Sequence, residues 1–435
     1  MIQIPGFEIK SEIYSSVRTR VYRGIRISDK KPVVLKLLNS DYPPPIEIAR
    51  IKREFEIGSL LNSCPGILNY ISLEKFDKHY IIISEDIGGV SLWKFIKSFN
   101  GSLIDIIKIF IKLGNGLSEI HNSKIIHKDL KPQNIIINPN NLEIQIIDFG
   151  ISSVLTNESI SIKSPDKLEG TLNYISPEQT GRMNRSVDYR TDFYSLGVTL
   201  YHWLVGRLPF YSEDSMGLIH SHIAKKTPTL TKESKFLKNL DDDSLKNLSK
   251  LIFKLTEKNS EDRYQSADGL VYDLKIILKS LEESGRLVEF IPGQNDFSKI
   301  FSIPQKILGR EKEIEKLLQT FELASIGQKQ FLIVKGFSGI GKSVLINEIH
   351  KPILIKKGYF LSGKFDQFKK DQPYSALKNA FNELIRQILT ESKEKIENWR
   401  KIILAILGEN AGVITEVITD LEFIIGKVNP PIPLT

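Results

Sequence analysis

Residues 125–150, I-I-H-K-D-L-K-P-Q-N-I-I-I-N-P-N-N-L-E-I-Q-I-I-D-F-G, constrain the fold more than any other stretch of this 435-residue chain. Two apolar runs, 135–137 and 144–147, flank a turn rich in Asn and Pro, the pattern of a short β-hairpin. The polar residues gather at its ends, with His127, Asp129, Lys131 and Asn134 ahead of the first run and Asp148, Phe149 and Gly150 after the second. An antiparallel hairpin returns its far end to its start, so two aspartates and an asparagine meet on one side. That is a metal and phosphate site in outline.

Phosphoryl transfer needs a carboxylate to orient an attacking hydroxyl and take its proton, hard oxygen ligands for Mg²⁺, and a cation on the migrating group. Asp129, then Asp148 with Asn134, then Lys131 supply these. The stretch resembles the catalytic loop and D-F-G segment of eukaryotic-like protein kinases. Seven residue types stand at fixed positions, roughly a one in a billion chance match at any one place. The resemblance implies an α+β bilobal fold, with a small β-rich N lobe (about residues 1–87) and a larger helical C lobe (about 88–285). It also implies ATP and Mg²⁺, with Asn134 and Asp148 on the metal.

Upstream, alternation with turn residues over 7–38 predicts the paired strands of the small lobe. The run Pro32-Val33-Val34-Leu35-Lys36-Leu37-Leu38 is an apolar strand with one lysine, costly to bury unless paired. In the kinase reading Lys36 binds the α and β phosphates and pairs with an acid on the next helix, expected over 46–61; Glu54 is favoured by spacing, with Glu56 the runner-up. The glycine-rich phosphate loop of the family is missing: Tyr14, Ser16 and Thr19 stand at its three glycine positions. Without glycine the backbone approaches phosphate less readily. By resemblance Ile13, Ser16, Thr19 and Val21 line the phosphate side of the ATP cleft, with Ser16 and Thr19 hydroxyls as alternative donors. Glu85 and Ile87 belong to the hinge that meets adenine. Ser84 is then an unusually small residue at the cleft's back wall, behind which a pocket should open.

After Gly150 a polar stretch carrying Ser152, Ser153, Thr156, Ser159, Ser161 and Ser164 has the character of an activation loop. It ends in G-T-L-N-Y-I-S-P-E, similar to the family's G-T-x-x-Y-x-A-P-E. Lys131 together with Thr171 marks the Ser/Thr branch, which implies a protein Ser/Thr hydroxyl as acceptor. Asp192 is expected to cap the catalytic-loop backbone and Arg263 to pair with Glu178. Lys128 stands where kinases controlled by loop phosphorylation often carry Arg, and lysine cannot fork onto a phosphate.

Helical periodicity over 244–281 gives way to a Gly/Pro-containing linker, 286–306. From 307 to 435 a second unit begins, with an amphipathic helix to about 324 and an apolar strand over 331–334. Gly336-Phe337-Ser338-Gly339-Ile340-Gly341-Lys342-Ser343 follows, a P-loop in its strand-loop-helix context. Gly336, Gly339 and Gly341 would let the backbone cradle phosphate, Lys342 would reach the β and γ oxygens, and Ser343 would ligate Mg²⁺. No apolar run ending in paired acids follows, so an incomplete α/β AAA-type ATPase domain that binds nucleotide without hydrolysis is expected, Asp420 and Glu422 being surface acids.

The resemblance as a whole is to the front of very large bacterial proteins joining a Ser/Thr kinase, a P-loop ATPase, a sensor region and a histidine kinase. The chain is therefore expected to be the front end of such a product, with those modules as partners. A kinase-fold regulatory module with weak turnover is the alternative, since the phosphate loop departs from its pattern. The net charge of +8 comes from lysines spread through the chain without aromatic interleaving, which argues against nucleic acid. One cysteine, Cys64, and no long apolar run fit a cytoplasmic protein without a membrane span.

Overall fold

The computed structural model describes residues 4–40, 42–76, 79–154, 172–183, 185–298, 307, 309–349, 352–353, 356, 358–363, 374–389 and 393–428. Alternation makes the first sheet: β1 (Phe7–Ser15), β2 (Thr19–Arg26), β3 (Pro32–Leu38), β4 (Tyr70–Phe76) and β5 (His79–Glu85) pair antiparallel in the order β1-β2-β3-β5-β4. One face of the sheet buries Tyr22, Val33, Leu35, Leu37, Ile81 and Ile83. The register sets Lys36 beside Ile82 and Ser84 between Val34 and Tyr70 on the opposite face. Helix α1 (Pro45–Leu60) covers that face and begins on a run of prolines that pre-set its first turn without a side-chain cap.

The second lobe is helical. After β6 (Val90–Ser91) and α2 (Leu92–Ser98), α3 (Leu103–Asn122) starts on a capping box between Ser102 and Asp105 and buries Ile106, Phe110, Leu113, Leu117 and Ile120. Then come β7 (Ile125–Ile126), the hairpin β8 (Ile135–Ile137) and β9 (Ile144–Ile146), and β10 (Ser153–Val154), which pairs with β7. Helix α4 (Arg190–Val205) is buried on all sides, polar residues included, and lies at the centre of the lobe, ending on Gly206 in the left-handed conformation. Helices α5 (Ser215–Ala224), α6 (Asp242–Leu255) and α7 (Ala267–Ser284) complete it. The periodic stretch 244–281 is thus two helices; the break at 256–266 carries Arg263, whose guanidinium holds the Glu178 carboxylate at 2.6 and 2.7 Å in full burial.

The segment expected as a linker opens by packing on this lobe. Leu287 is buried and its amide donates to Ser244 Oγ (2.8 Å); Gly293 N donates to Asp273 Oδ2 (2.7 Å). Asp296 accepts from Ser266 Oγ (2.7 Å) and from the Gln265 amide, next to the start of α7.

Beyond residue 306, α8 (Glu311–Ser325) buries Leu317 alone. Residues 331–334 form no strand ladder among the described residues, and Phe331 is 88% exposed, which corrects the expected strand there. The physical reason is that an apolar strand is held by neighbouring strands, and none among the described residues is paired with it. A separate small core gathers Ile385, Ile388, Ala411, Leu421, Ile424 and Ile425.

Candidate active site

Lys36, carried on β3, meets Glu54 of α1 at 2.8 and 2.6 Å and Asp148 at 3.2 Å. The alternative acid Glu56 does not take part in this cluster, because Glu54 is the α1 carboxylate that faces the sheet and is buried. Burial opposes the charge on Lys36, yet Asp148 and Glu54 together raise its pKa above the ordinary lysine value. Burial pushes Glu54 up to about 7 against the pull of Lys36. Asp148 is also desolvated, but Lys36 and Lys131 prevail and hold its carboxyl below the usual range. Asp148 adopts φ 71°, a left-handed backbone that aspartate tolerates better than most residues other than glycine.

The catalytic-loop residues are fixed from below. Fully buried Asp192, on α4, accepts from the amides of His127 (3.0 Å) and Lys128 (2.8 Å) and meets His121 Nε2 at 3.0 Å. Lys128 needs that grip, since its φ is 68°. The ring of His127 lies against Phe149 (centroids 5.0 Å) and its Nε2 meets the Ile147 carbonyl at 3.0 Å, tying the loop to the end of β9. On this frame Lys131 Nζ donates to Asp129 Oδ2 (2.6 Å), and Asn134 Nδ2 donates to the same oxygen (3.1 Å) and to the Asp129 carbonyl (2.9 Å). With its amide nitrogen so engaged, the carbonyl end of Asn134 is left as a hard oxygen donor. Asp148 and Asn134 suit Mg²⁺, which takes few protein ligands and shares the rest of its shell with phosphate and water.

Nearer the solvent, Ser16 Oγ accepts from the amides of Arg18 (3.2 Å) and Thr19 (3.0 Å) and closes the β1–β2 turn. The same hydroxyl donates to the Thr19 carbonyl (3.2 Å), so here it serves its own turn. Val21 pairs with Lys36 across β2 and β3, and the Ile13 carbonyl accepts from Lys94 Nζ (3.4 Å). At the hinge, Glu85 N donates to the Asn69 carbonyl (3.1 Å), and the Ile87 carbonyl accepts from Asn138 Nδ2 (2.7 Å). Two residues escaped the sequence reading. Arg23 ties β2 to the hinge through Asp86 (2.5 Å) and the Gly89 carbonyl (2.9 Å). Tyr70 packs its ring on Phe55 and Phe149, and it fills the space in which a pocket behind Ser84 was expected. Nothing local signalled either. Thr156, Ser159, Ser161, Ser164 and Thr171 lie outside the described residues.

In the second unit Gly339 (φ 81°) and Gly341 (φ 92°) adopt left-handed backbone ahead of α9 (Lys342–Asn347). Lys342 Nζ donates to the carbonyls of Gly336 (2.9 Å) and Phe337 (2.8 Å), so the loop curls round its own ammonium. Ser343 opens α9. Glu348, just past that helix, lies 3.4 Å from Arg185. Asp420 accepts from Arg386 Nε (3.0 Å), an exposed pair.

Comparison with known proteins agrees with this geometry. The family model described as protein kinase domain matches residues 7–273, and the AAA ATPase domain model matches residues 306–427. Hybrid signal transduction histidine kinase G of Dictyostelium discoideum is 39% identical over 284 residues, 61% of this chain and 8% of that protein. Peroxide stress-activated histidine kinase mak3 of Schizosaccharomyces pombe is 25% identical over 429 residues, 87% of this chain and 18% of that protein. Serine/threonine-protein kinase PrkC of Bacillus subtilis is 29% identical over 272 residues, 62% of this chain and 40% of that protein. The chain spans less than half the length of each of these relatives. Among the described residues no helix is long and apolar enough to cross a membrane.

Proposed function

The chain belongs to the protein kinase family, its kinase domain being followed by an AAA ATPase domain, and on that premise we propose that it transfers the γ-phosphoryl group of ATP to a protein serine or threonine. One observation carries the reading: Lys131 and Asn134 both hold Asp129 Oδ2, while Lys36 is paired at once to Glu54 and Asp148. The first set is a base with its orienting donors, the second a phosphate clamp already assembled. Asp129 takes the proton of the substrate hydroxyl as its oxygen bonds to the γ-phosphorus and the bridge to ADP breaks. Lys131 neutralises charge on the migrating group, and Lys36 holds the α and β phosphates. Asp148 and Asn134 would hold Mg²⁺, which supplies charge neutralisation at the β and γ oxygens.

The kinase unit takes in 1–285 with residues 287–296 docked on it, and the P-loop unit follows from 307. The P-loop unit binds nucleotide through Gly336, Gly339, Gly341, Lys342 and Ser343 and acts on the kinase unit in cytoplasmic signalling, a coupling supported by the Arg185–Glu348 pair. Sensor and histidine-kinase modules are its partners, the latter in keeping with the names of the hybrid relatives. The β1–β2 turn without glycine, closed by Ser16, favours one second reading, a kinase-fold regulatory module of weak turnover.

Radiolabel transfer from γ-labelled ATP to a generic basic protein separates the two. Asp129→Asn should lower transfer by about a thousandfold, within the usual range for a positioned base. Equal incorporation by the parent and this variant would sink the kinase reading. For the P-loop unit, Lys342→Ala should abolish the nucleotide binding that persists when the kinase cleft is blocked; undiminished binding would defeat it.

A further inference from the structure

Tyr189 stands at the start of α4, three positions ahead of Asp192, and is buried. Its ring and its hydroxyl serve different neighbours. The ring meets His121 edge-on, with centroids 5.3 Å apart, and Phe193 at 6.2 Å. His121 also meets Phe193 at 5.3 Å and bonds Asp192 Oδ2 through Nε2 (3.0 Å), while its buried Nδ1 has no hydrogen-bond partner. One bond alone does not fix the plane of an imidazole, so the setting of His121 rests on the two aromatic rings that enclose it. Asp192 Oδ2 is the oxygen that also accepts the His127 amide (3.0 Å), and Oδ1 accepts that of Lys128 (2.8 Å), next to Asp129. The Tyr189 hydroxyl donates to the Gln265 carbonyl (3.0 Å) and meets Ser298 Oγ at 3.3 Å. The amide of Gln265 donates to Asp296, and its side-chain oxygen accepts from Arg190 Nη1 (2.8 Å). Contact is therefore unbroken from Asp296 and Ser298, through Tyr189, His121 and Asp192, to the amides beside Asp129.

We propose that Tyr189 is a positioning residue for phosphoryl transfer: its ring sets His121 and, through Asp192, the catalytic loop, while its hydroxyl makes the docked stretch 287–298 part of that support. The proposal rests on the kinase reading of the site. Continuity of contact becomes coupling only where a link has an arrangement to lose. His121, held by one bond and two rings, is that link. A carboxylate that takes a proton in the transition state must be placed closely, and a displacement of about 1 Å costs on the order of a hundredfold in rate. A slackened ring moves the loop less than that, so a loss of about tenfold is expected. Lys36 and its partners lie outside this chain of contacts, so the loss falls on turnover and not on the KM for ATP.

The test uses the full chain and two readouts: label transfer from γ-labelled ATP to a generic basic protein, and hydrogen exchange of the 125–131 amides by mass spectrometry. Tyr189→Leu should lower kcat about tenfold, leave the KM for ATP within about twofold, and speed exchange of those amides about tenfold. Tyr189→Phe keeps the ring and should recover most of the loss. Asp296→Ala should lower kcat about threefold in the parent and less in Tyr189→Phe, where the tie to the docked stretch is already cut. A tyrosine that merely fills space would lower the melting temperature while kcat and the 125–131 exchange of the folded protein stayed as in the parent. That result would overturn the proposal, as would a loss that falls on KM, or an equal effect of Asp296→Ala in both backgrounds. Should Tyr189→Leu fail to fold, the Asp296→Ala comparison in the parent and in Tyr189→Phe decides. Equal labelling by the parent and Asp129→Asn would overturn the kinase reading instead; amide exchange needs no turnover and would still judge Tyr189.

Discussion

Asp192 performs no chemistry, yet it is the side chain on which the catalytic loop hangs. It is fully buried, and two amides and an imidazole justify its charge. Burial works to raise its pKa; His121 and the other donors win and hold it low. Asp192→Ala leaves two buried amides without a partner, so a loss of about 3 kcal/mol is expected in chemical denaturation. Activity should fall even in the folded fraction, since Lys128 would leave its left-handed backbone. Gly58 makes a different demand. Gly58→Ala places a Cβ into the Tyr70 ring and should destabilise by about 1–3 kcal/mol, a loss that Tyr70→Leu in the same chain should largely recover. Purified double and single variants compared by thermal melting would check this. At this scale Asp129, Asn134, Asp148 and Lys36 were legible because each sits in a short run whose chemistry is local. Tyr70 was not, because its meaning lies in a glycine twelve positions away that only the packing of α1 on β4 brings to it.

Among the elements, the β8–β9 hairpin and the strands of the first sheet followed from alternation and turn residues, which are local signals. The stretch 244–281 did not: its apolar period runs on across the break, and only Arg263, held to Glu178, shows why α6 and α7 part company. Helix α5 carries the clearest pH dependence. His222 is fully buried, its Nδ1 is 3.0 Å from the Tyr194 hydroxyl, and Lys258 lies beside it, donating to its carbonyl at 2.8 Å. Burial first, then Lys258, depress its pKa to about 3. The unfolded chain takes up a proton as pH falls through about 6.5 while the folded one does not, so the stability from a neutral His222 is present above about pH 6.5 and is lost progressively toward pH 3. The slope contributed is at most about 1.4 kcal/mol per pH unit. His222→Gln should flatten that limb of the stability profile, measured by urea titration at pH 5 and 7; an unchanged slope would remove His222 as its cause.

At the scale of the molecule, the lower lobe reaches past α7. Leu287 and the bonds made by residues 287–296 belong to its packing although they read as linker, because glycine, proline and polar residues look alike in a docked strap and a loose one. A chain ended at residue 285 should melt several degrees below one ended at 298, given roughly 2–4 kcal/mol of lost burial and hydrogen bonds; coincident melts would show the strap to be passive. The P-loop was legible as a motif, but the strand feeding it was not secured, because a buried strand is made by its neighbours and Phe331 has none among the described residues. The Asp296 fastening also fixes a leash. From 296 to 307 the chain has 11 residues, a reach of roughly 40 Å, whereas from 285 it would have 22 and roughly 75 Å. A single carboxylate on the threshold of α7 thus carries the fastened chain about a dozen residues beyond the end of that helix.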